Sequence, residues 1–199
     1  MNAKLEKAII MKTQKLHLPV FPLPIFLLPE GVTRLRIFEP RYLKMVRVAT
    51  QGQGFIIWLN GKEEQSVMNM WGSWVEIINF DQGEDGVLEV DVMCKSLVKL
   101  HSIDTGDDNL RYAVATYLEH WPDVKIDSSK DELSTSLSRV FEKNKMLTEL
   151  YAQQKKSSIT WVVARWLELL PMNQTSKNNF ADKTSFEQAK EFVKTVIYK

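Results

Sequence analysis

The order of apolar and polar positions divides the chain near residue 122 into a strand-rich first part and a helix-rich second part. In the first part, short alternating or continuous apolar runs are separated by turns rich in Gly, Asp and Asn, a pattern typical of β-strands. These runs cover residues 16–21, 33–37, 55–59, 72–80, 86–92, 97–103 and 111–118. Six or more short strands at this spacing predict a closed or partly closed barrel.

Prolines and glycines indicate how some of these runs end. Leu16 to Phe21 alternates and then meets Pro22 and Pro24, so we interpret it as an edge strand that leaves the sheet. Asn60-Gly61 favours a tight hairpin turn after the run 55–59. Pro40 suits the first turn of a short helix, because a missing donor costs nothing there.

In the second part, apolar residues recur at helical spacing. A segment from Leu133 to Tyr151 has this spacing, and Ser157 or Ser158 is placed to cap the next helix, Ile159 to Leu170. Thr184 to Glu187 matches a capping box at the start of a last helix. The polar stretch between these helices, residues 173–179, has no assignable pattern. We therefore predict an α+β chain: a leader over 1–15, a β domain over 16–122 and a helical subdomain over 123–199.

Composition places the chain among ordinary globular proteins. Its 199 residues are 44% hydrophobic and 26% charged, with a formal net charge of +1. The single cysteine, Cys94, excludes a disulfide within the chain and is expected to be a half-buried structural thiol. The apolar run at residues 8–11 is too short for a signal peptide or a membrane span. These features predict cytoplasmic localisation without membrane association.

Charge is segregated along the chain. Residues 1–47 hold nine Lys and Arg against three Asp and Glu, whereas residues 60–122 hold four against twelve. Two interpretations remain open: solvated surfaces that differ in sign, or a basic strip beside an acidic one that biases the choice of partner.

The sequence contains no recognisable catalytic or metal motif. His17, His101 and His120 are the only histidines, and neither His-Glu-x-x-His spacing nor a cysteine cluster accompanies them. A phosphate-binding loop and a Gly-x-Ser-x-Gly elbow are also absent. A Ser-His-Asp arrangement stays open, because triads assemble from distant residues. We expect no catalysis, cofactor or metal, and a cleft joining His101 or His120 to Ser or Asp would argue otherwise.

Three blocks resemble, in order, the N-terminal domain of Lon protease. They are the proline-rich segment 18–29 with the following Ile37-Phe-Glu-Pro-Arg-Tyr42, the glycine-led run 72–77, and the helix end 166–171. The first block is the specific one, and the resemblance covers about residues 16–198. The motif residues expected to have structural roles are Pro22, Pro29, Phe38, Glu39, Arg41, Tyr42 and Gly72.

This resemblance implies a PUA-like β pseudobarrel followed by a small helical bundle. Bulky Trp74 departs from the acidic or small residue that the family often has there. Independently of the family, Glu39 beside Arg41 at a strand-to-helix junction is expected to fix the turn by a charge-assisted hydrogen bond.

The resemblance also implies a recognition module that lacks the ATPase and protease modules of a full Lon protease. Its expected partners are unfolded or extended polypeptides, or a protease complex. Candidate contacts are Leu18, Val20 and Phe21 on the edge strand, with Trp161 and Leu169 on the following helix. For Trp161, burial against a second face of that helix is the alternative.

Two other functions remain open at this point. PUA-like barrels in other families bind RNA, but the acidic residues of 60–122 and the lack of a dense Lys/Arg cluster argue against nucleic acid. The other is an adaptor or regulator that docks on a full-length protease. The sequence does not predict an oligomeric state.

Overall fold

The computed structural model describes residues 15–59 and 70–198, which contain six strands and six helices. The strands are β1 (Leu16–Pro22), β2 (Val32–Ile37), β3 (Phe55–Trp58), β4 (Trp71–Gln82), β5 (Leu88–Thr105) and β6 (Arg111–Leu118). The helices are α1 (Pro40–Ala49), α2 (Glu132–Lys143), α3 (Lys145–Leu150), α4 (Ile159–Leu169), α5 (Gln174–Phe180) and α6 (Phe186–Ile197). The predicted leader, apart from its last residue, and the Asn60-Gly61 turn lie outside the described residues.

Five strands close on themselves into a barrel. The pairing order is β5, β4, β3, β1 and β6, and β6 pairs again with β5. All neighbours are antiparallel except β1 and β3, which are parallel. β2 lies outside this ring and pairs with the first part of β5. The α+β class predicted from the sequence is confirmed.

A single long strand, β5, replaces the two strands predicted over 86–92 and 97–103. Its first residues, Leu88 to Met93, pair with β2, and its last, Leu97 to Thr105, pair with β6. Between these two parts, the register with β4 skips Lys95, as at a β-bulge, because Trp74 pairs with Ser96 and Val75 pairs with Cys94. Bulges bend a strand and increase its twist, which lets one strand serve two partners. The prediction of a break here was wrong.

The edge-strand prediction for β1 was also wrong. β1 lies between β6 and β3, pairing with β6 over Leu16 to Val20 and with β3 over Val20 to Pro22. Leu18, Val20 and Phe21 are buried by this arrangement. The Leu23 N–H donates to Trp58 of β3, and N–H groups alternate between the two sides of a strand, so the Pro19 nitrogen faces β3, with which the described residues pair β1 only from Val20 onwards.

The described residues after 122 form more and shorter helices than the sequence pattern predicted. The segment 133–151 is broken at Asn144, whose extended backbone ends α2 and whose side chain accepts the Leu147 N–H to cap α3. Ser158 caps α4, as predicted, by accepting the Trp161 N–H. The unassigned polar stretch forms α5, which Asn173 caps.

The capping box at residues 184–187 is absent. Ser185 is the N-cap of α6, but its side chain makes no cap hydrogen bond. Its hydroxyl instead donates to the Asp182 carbonyl and accepts from the Trp121 indole. The side chain therefore ties α6 to the segment after β6.

Most of the core is one cluster that includes side chains from both the barrel and the helices. Trp121 and Phe186 meet edge to face at the boundary predicted near residue 122. A second, smaller cluster contains alternate residues of β1, β5 and β6, together with Ile56 of β3. The division into domains at 122 stays a prediction, and the shared core means that the two parts are packed as neighbours.

Candidate polypeptide-binding surfaces

The three histidines do not form a catalytic arrangement with Ser or Asp in the described part of the chain. His120 Nε2 donates to the Phe180 carbonyl at 3.0 Å, and burial lowers the pKa of His120 to about 4. His101 Nε2 lies 2.8 Å from the Thr116 hydroxyl, and His17 is stacked on Tyr112. His120 does line a cavity with Asp123 and Ser158, whose hydroxyl donates to the Asp123 carboxylate at 2.5 Å, but among the described residues neither His120 nor His101 hydrogen-bonds to a Ser or Asp side chain.

Cys94 is fully buried, where the sequence predicted a half-buried thiol. Burial raises the pKa of this thiol, which keeps it protonated and unreactive. Among the described residues, no group of three His, Cys, Asp or Glu side chains is placed to hold a metal ion. No helix in the described ranges has the length and apolarity that crossing a bilayer requires.

Several of the motif residues contact neighbours within the fold, whereas Phe38 is exposed. Arg41 donates to the Glu39 carboxylate at 2.9 Å, and its guanidinium lies over the Tyr42 ring, as expected for a fixed turn. A Cβ at Gly72 would collide with the Ile57 carbonyl oxygen of β3, so β4 and β3 approach each other closely at this glycine.

The other motif residues lie at the edges of the packed regions. Pro22 pairs with Trp58 across β1 and β3. Pro29 offers its carbonyl to Arg165 at 3.1 Å. Trp74, the departure from the family pattern, donates to the Gln53 carbonyl and lies under the Lys95 ammonium.

A buried ion pair that sequence reasoning missed joins α4 to the loop after β1. Arg165 Nε and Nη2 donate to the Glu168 carboxylate at 2.7 and 2.8 Å, and the Leu28 N–H donates to the same carboxylate at 2.7 Å. Burial disfavours the charge on Arg165, but the Glu168 carboxylate outweighs it and raises the pKa of Arg165. Burial raises the pKa of Glu168, and Arg165 opposes that shift. The signal in the sequence was a charged pair at i, i+3 within an otherwise apolar helix.

Among the described residues, β2 pairs with β5 alone, and β4 presents a second exposed edge, whereas β1 presents none. Val75 is the last β4 residue that pairs with β3, but β4 continues to Gln82 with β5 on its other side. In the described chain, residues 76–82 therefore have a strand neighbour on one side only. Unpaired N–H and C=O groups along such an edge are a template for another strand.

Apolar side chains stand along this edge. Phe80 lies opposite Val90, which lies opposite Leu35, so these three residues share one face of the sheet. Leu35 and Val90 are buried, whereas Phe80 is 61% exposed and Ile78 is 47% exposed. The β4 edge, meaning residues 76–82, thus combines free backbone groups with an apolar face.

The opposite face of the same three strands is polar. Arg34 Nε and Nη2 donate to the Asp91 carboxylate at 2.7 and 3.0 Å, and Asn79 donates to it at 3.3 Å. These hydrogen bonds lower the pKa of Asp91, with Arg34 as the main cause. An added strand would therefore meet apolar neighbours on one face and charged neighbours on the other.

The two candidate residues on α4 have different environments. Trp161 is buried and packs against the rings of Phe141 and Tyr151, so the structure places it in the core. Leu169 is 40% exposed and lines a cavity of about 160 Å³ together with exposed Met146. This Leu169 pocket lies between the loop after β1 and helices α2, α3 and α4.

The amino-acid sequence matches the model of a known protein family. A family model described as the substrate-binding domain of the ATP-dependent protease La (Lon) matches residues 17–193. The chain belongs to this Lon substrate-binding domain family. The resemblance inferred from the proline-rich block and its two companions is therefore confirmed.

Solved structures of Lon N-terminal domains have the same fold. A Lon N-terminal domain protein from Xanthomonas campestris superposes with a TM-score of 0.64 at 27% identity, covering 89% of this chain and 98% of that chain. The N-terminal domain of the Mycobacterium avium complex Lon protease gives 0.58 at 10% identity, covering 90% and 97%, a likeness of fold alone. No curated protein matches the sequence significantly.

Proposed function

We propose that this Lon-family chain is a non-catalytic module that binds extended or unfolded polypeptides, and that the β4 edge is its main contact. The observation that carries the proposal is that residues 76–82 pair with β5 alone and that Ile78 and Phe80 in this segment are exposed. An extended peptide gains main-chain hydrogen bonds at such an edge, and alternate side chains then provide selectivity. The family description, a substrate-binding domain, supports the same function.

The incoming strand would follow the alternation of β4. Its residues on the Phe80 face would extend the apolar row of Leu35 and Val90, and its other residues would lie beside Asn79 and Asp81. Segments that alternate apolar and polar residues fit this arrangement. Such segments are buried in folded proteins and exposed in unfolded ones, which gives preference for unfolded substrates.

Leu169 is the second contact in this proposal. The Leu169 pocket is lined mainly by apolar side chains and is large enough to accept one apolar side chain from a bound segment. Leu18, Val20, Phe21 and Trp161 are buried and are not part of the proposed surface. Leu169→Ser should therefore weaken binding less than a change on the β4 edge.

The test places a charge on the edge and measures binding to an unfolded protein. Phe80→Lys and Ile78→Lys should each weaken binding by about tenfold or more, because lysine on an edge disfavours strand addition. Val196→Lys is the matched control, since Val196 on α6 is 40% exposed and far from β4 in sequence. All three variants should keep the melting temperature of the unmodified protein.

Amide hydrogen exchange shows whether the contact is a strand addition. Bound peptide should slow exchange within residues 76–82 and leave it unchanged in α6, because edge amides acquire hydrogen-bond partners. Unaltered binding by both β4 variants, or protection that omits residues 76–82, would refute this proposal.

A further inference from the structure

A second surface lies where β1 ends, β2 joins α1 and β6 begins. A groove of about 460 Å³ is lined there by three arginines, Arg36, Arg41 and Arg111. Its other charged lining residue is Glu39, so the lining carries three positive charges against one negative charge. We call this cavity the arginine groove.

The three guanidinium groups differ in how many side chains they already contact. Arg41 is held by Glu39 and stacks on Tyr42, which fixes its orientation. Arg36 is half exposed and forms an ion pair with Asp85. Arg111 is exposed and makes no ion pair or side-chain hydrogen bond with another residue that the structure describes. Two of the three guanidinium groups therefore already face carboxylates, and Arg111 is the one that the described residues leave available to a ligand.

Apolar surface accompanies these charges. Phe38 is 71% exposed at the groove, although it directly follows a buried strand residue, Ile37. The buried side chains of Phe21 and Tyr42 also line the cavity. A ligand that fits this lining carries a carboxylate beside an aromatic or aliphatic group.

We propose that the arginine groove binds an acidic side chain, Asp or Glu, of a polypeptide segment that also contacts Phe38. This inference rests on the proposed function, because it names one chemical feature of the polypeptides that the module binds. Arginine is suited to the role, since its fork of N–H donors matches a carboxylate in two parallel hydrogen bonds. Arg111 is the proposed direct donor, and Arg41, which Glu39 already engages, contributes positive potential.

The surroundings favour a peptide carboxylate over a nucleic acid backbone. Acidic residues flank the groove: Asp85 and Glu89 lie beside Arg36, and Asp108 of the β5–β6 turn lines an adjoining cavity with Arg41 and Arg111. A polyanion that extends beyond the groove would be repelled by them, whereas a segment with one or two carboxylates fits between them.

The test compares two short peptides, both acetylated and amidated so that no terminal carboxylate is present. One alternates valine and glutamate, and the other has glutamine at every glutamate position. The unmodified protein should bind the glutamate peptide about tenfold more tightly at low salt, and this preference should shrink as salt is added.

Arg111→Gln should remove the preference between the two peptides and leave binding of the glutamine peptide unchanged. Arg139→Gln is the matched control, since Arg139 is an exposed arginine of α2 outside the groove. Melting temperatures of both variants should equal that of the unmodified protein, because Arg111 has no described partner to lose.

Each other outcome overturns the inference in a distinguishable way. Equal binding of both peptides by unmodified protein refutes the carboxylate preference but leaves polypeptide binding intact. Preference only for peptides with a free C-terminus would assign the groove to terminal carboxylates. Binding of a single-stranded RNA that Arg111→Gln abolishes, without peptide preference, would assign it to nucleic acid. Failure to bind either peptide or an unfolded protein refutes the proposed function as well.

Discussion

Replacing Glu168 with glutamine tests the buried ion pair that joins α4 to the loop after β1. The side chains of Arg165 and Glu168 are 1% and 9% exposed, so water contributes little to either charge. Glutamine has nearly the size of glutamate and keeps an oxygen that can accept the Leu28 N–H. The substitution therefore removes the negative charge and, if the remaining oxygen faces Leu28, also the oxygen that accepts from Arg165 Nε.

The expected cost follows from leaving Arg165 buried without its counter-charge. Removing one partner of a buried ion pair costs about 3–5 kcal/mol. In a chain of this size, each kcal/mol lowers the melting temperature by about 2–4 °C, so Glu168→Gln should melt about 6–20 °C lower. The double variant Arg165→Met with Glu168→Gln removes both charges and should be more stable than Glu168→Gln alone.

Thermal and urea unfolding followed by circular dichroism measure these differences. The control is Glu191→Gln, because the Glu191–Lys194 pair on α6 is exposed and its loss should leave the melting temperature unchanged. A melting temperature for Glu168→Gln within about 2 °C of the unmodified protein, or a double variant less stable than the single one, would refute the reasoning.

Three further changes test other parts of the fold. Trp161→Ala removes a buried ring that packs on two aromatic neighbours and should cost about 3–5 kcal/mol in urea unfolding, whereas a cost near zero would support a partner-facing role. The pKa of His120 is lowered by burial from 6.5 to about 4, so the folded state keeps it neutral where the unfolded state protonates it. The free energy of unfolding should therefore fall as the pH is lowered from about 6.5 to about 4, and it should fall less in His120→Gln; identical pH profiles for the two proteins would contradict the assignment. Gly54 has a φ of 70° and a Cβ there would overlap a β4 carbonyl oxygen, so Gly54→Ala should cost more than about 1–3 kcal/mol. Gly52→Ala has open space around its Cβ and should cost less, and equal melting temperatures would contradict this comparison.

Local patterns predicted which residues form strands and helices better than they predicted which strands pair with each other. Alternation and turn residues placed β2, β3, β4 and β6 close to their observed bounds, because those signals depend on neighbours in sequence. The position of β1 depends instead on β6, which begins nearly 90 residues later, at Arg111. Proline in β1 suggested an edge, and the register that accommodates Pro19 inside a barrel has no local signature.

Side chains with two roles explain most of the remaining differences. Asn144 ends one helix and caps the next, so a continuous apolar stripe concealed a break. Thr184 and Glu187 have the spacing of a capping box, but the N-cap is Ser185, whose hydroxyl accepts from Trp121, while the Thr184 hydroxyl donates to Asp182. Arg165 and Glu168 lie in an apolar helix, and the acceptors and donors that make their burial tolerable come from residues 28 and 29. In each case the partner that decides the outcome is remote in sequence.

The proposed binding edge arises from a mismatch in strand length. β3 has four residues and β4 has twelve, so β4 must extend past its neighbour whatever the side chains are. The register shift between Ile77 and Asn79 lies in this overhang, and the next exposed aromatic, Phe80, follows directly. Proteins shield such an edge with charge, proline, a β-bulge or a covering element. Here the register shift and the charges of Glu76 and Asp81 shield the edge in part, while the apolar side chains of Ile78 and Phe80 remain exposed. The proposed polypeptide contact therefore lies at the overhang of β4, where the described residues leave the backbone with one strand neighbour beside exposed apolar side chains.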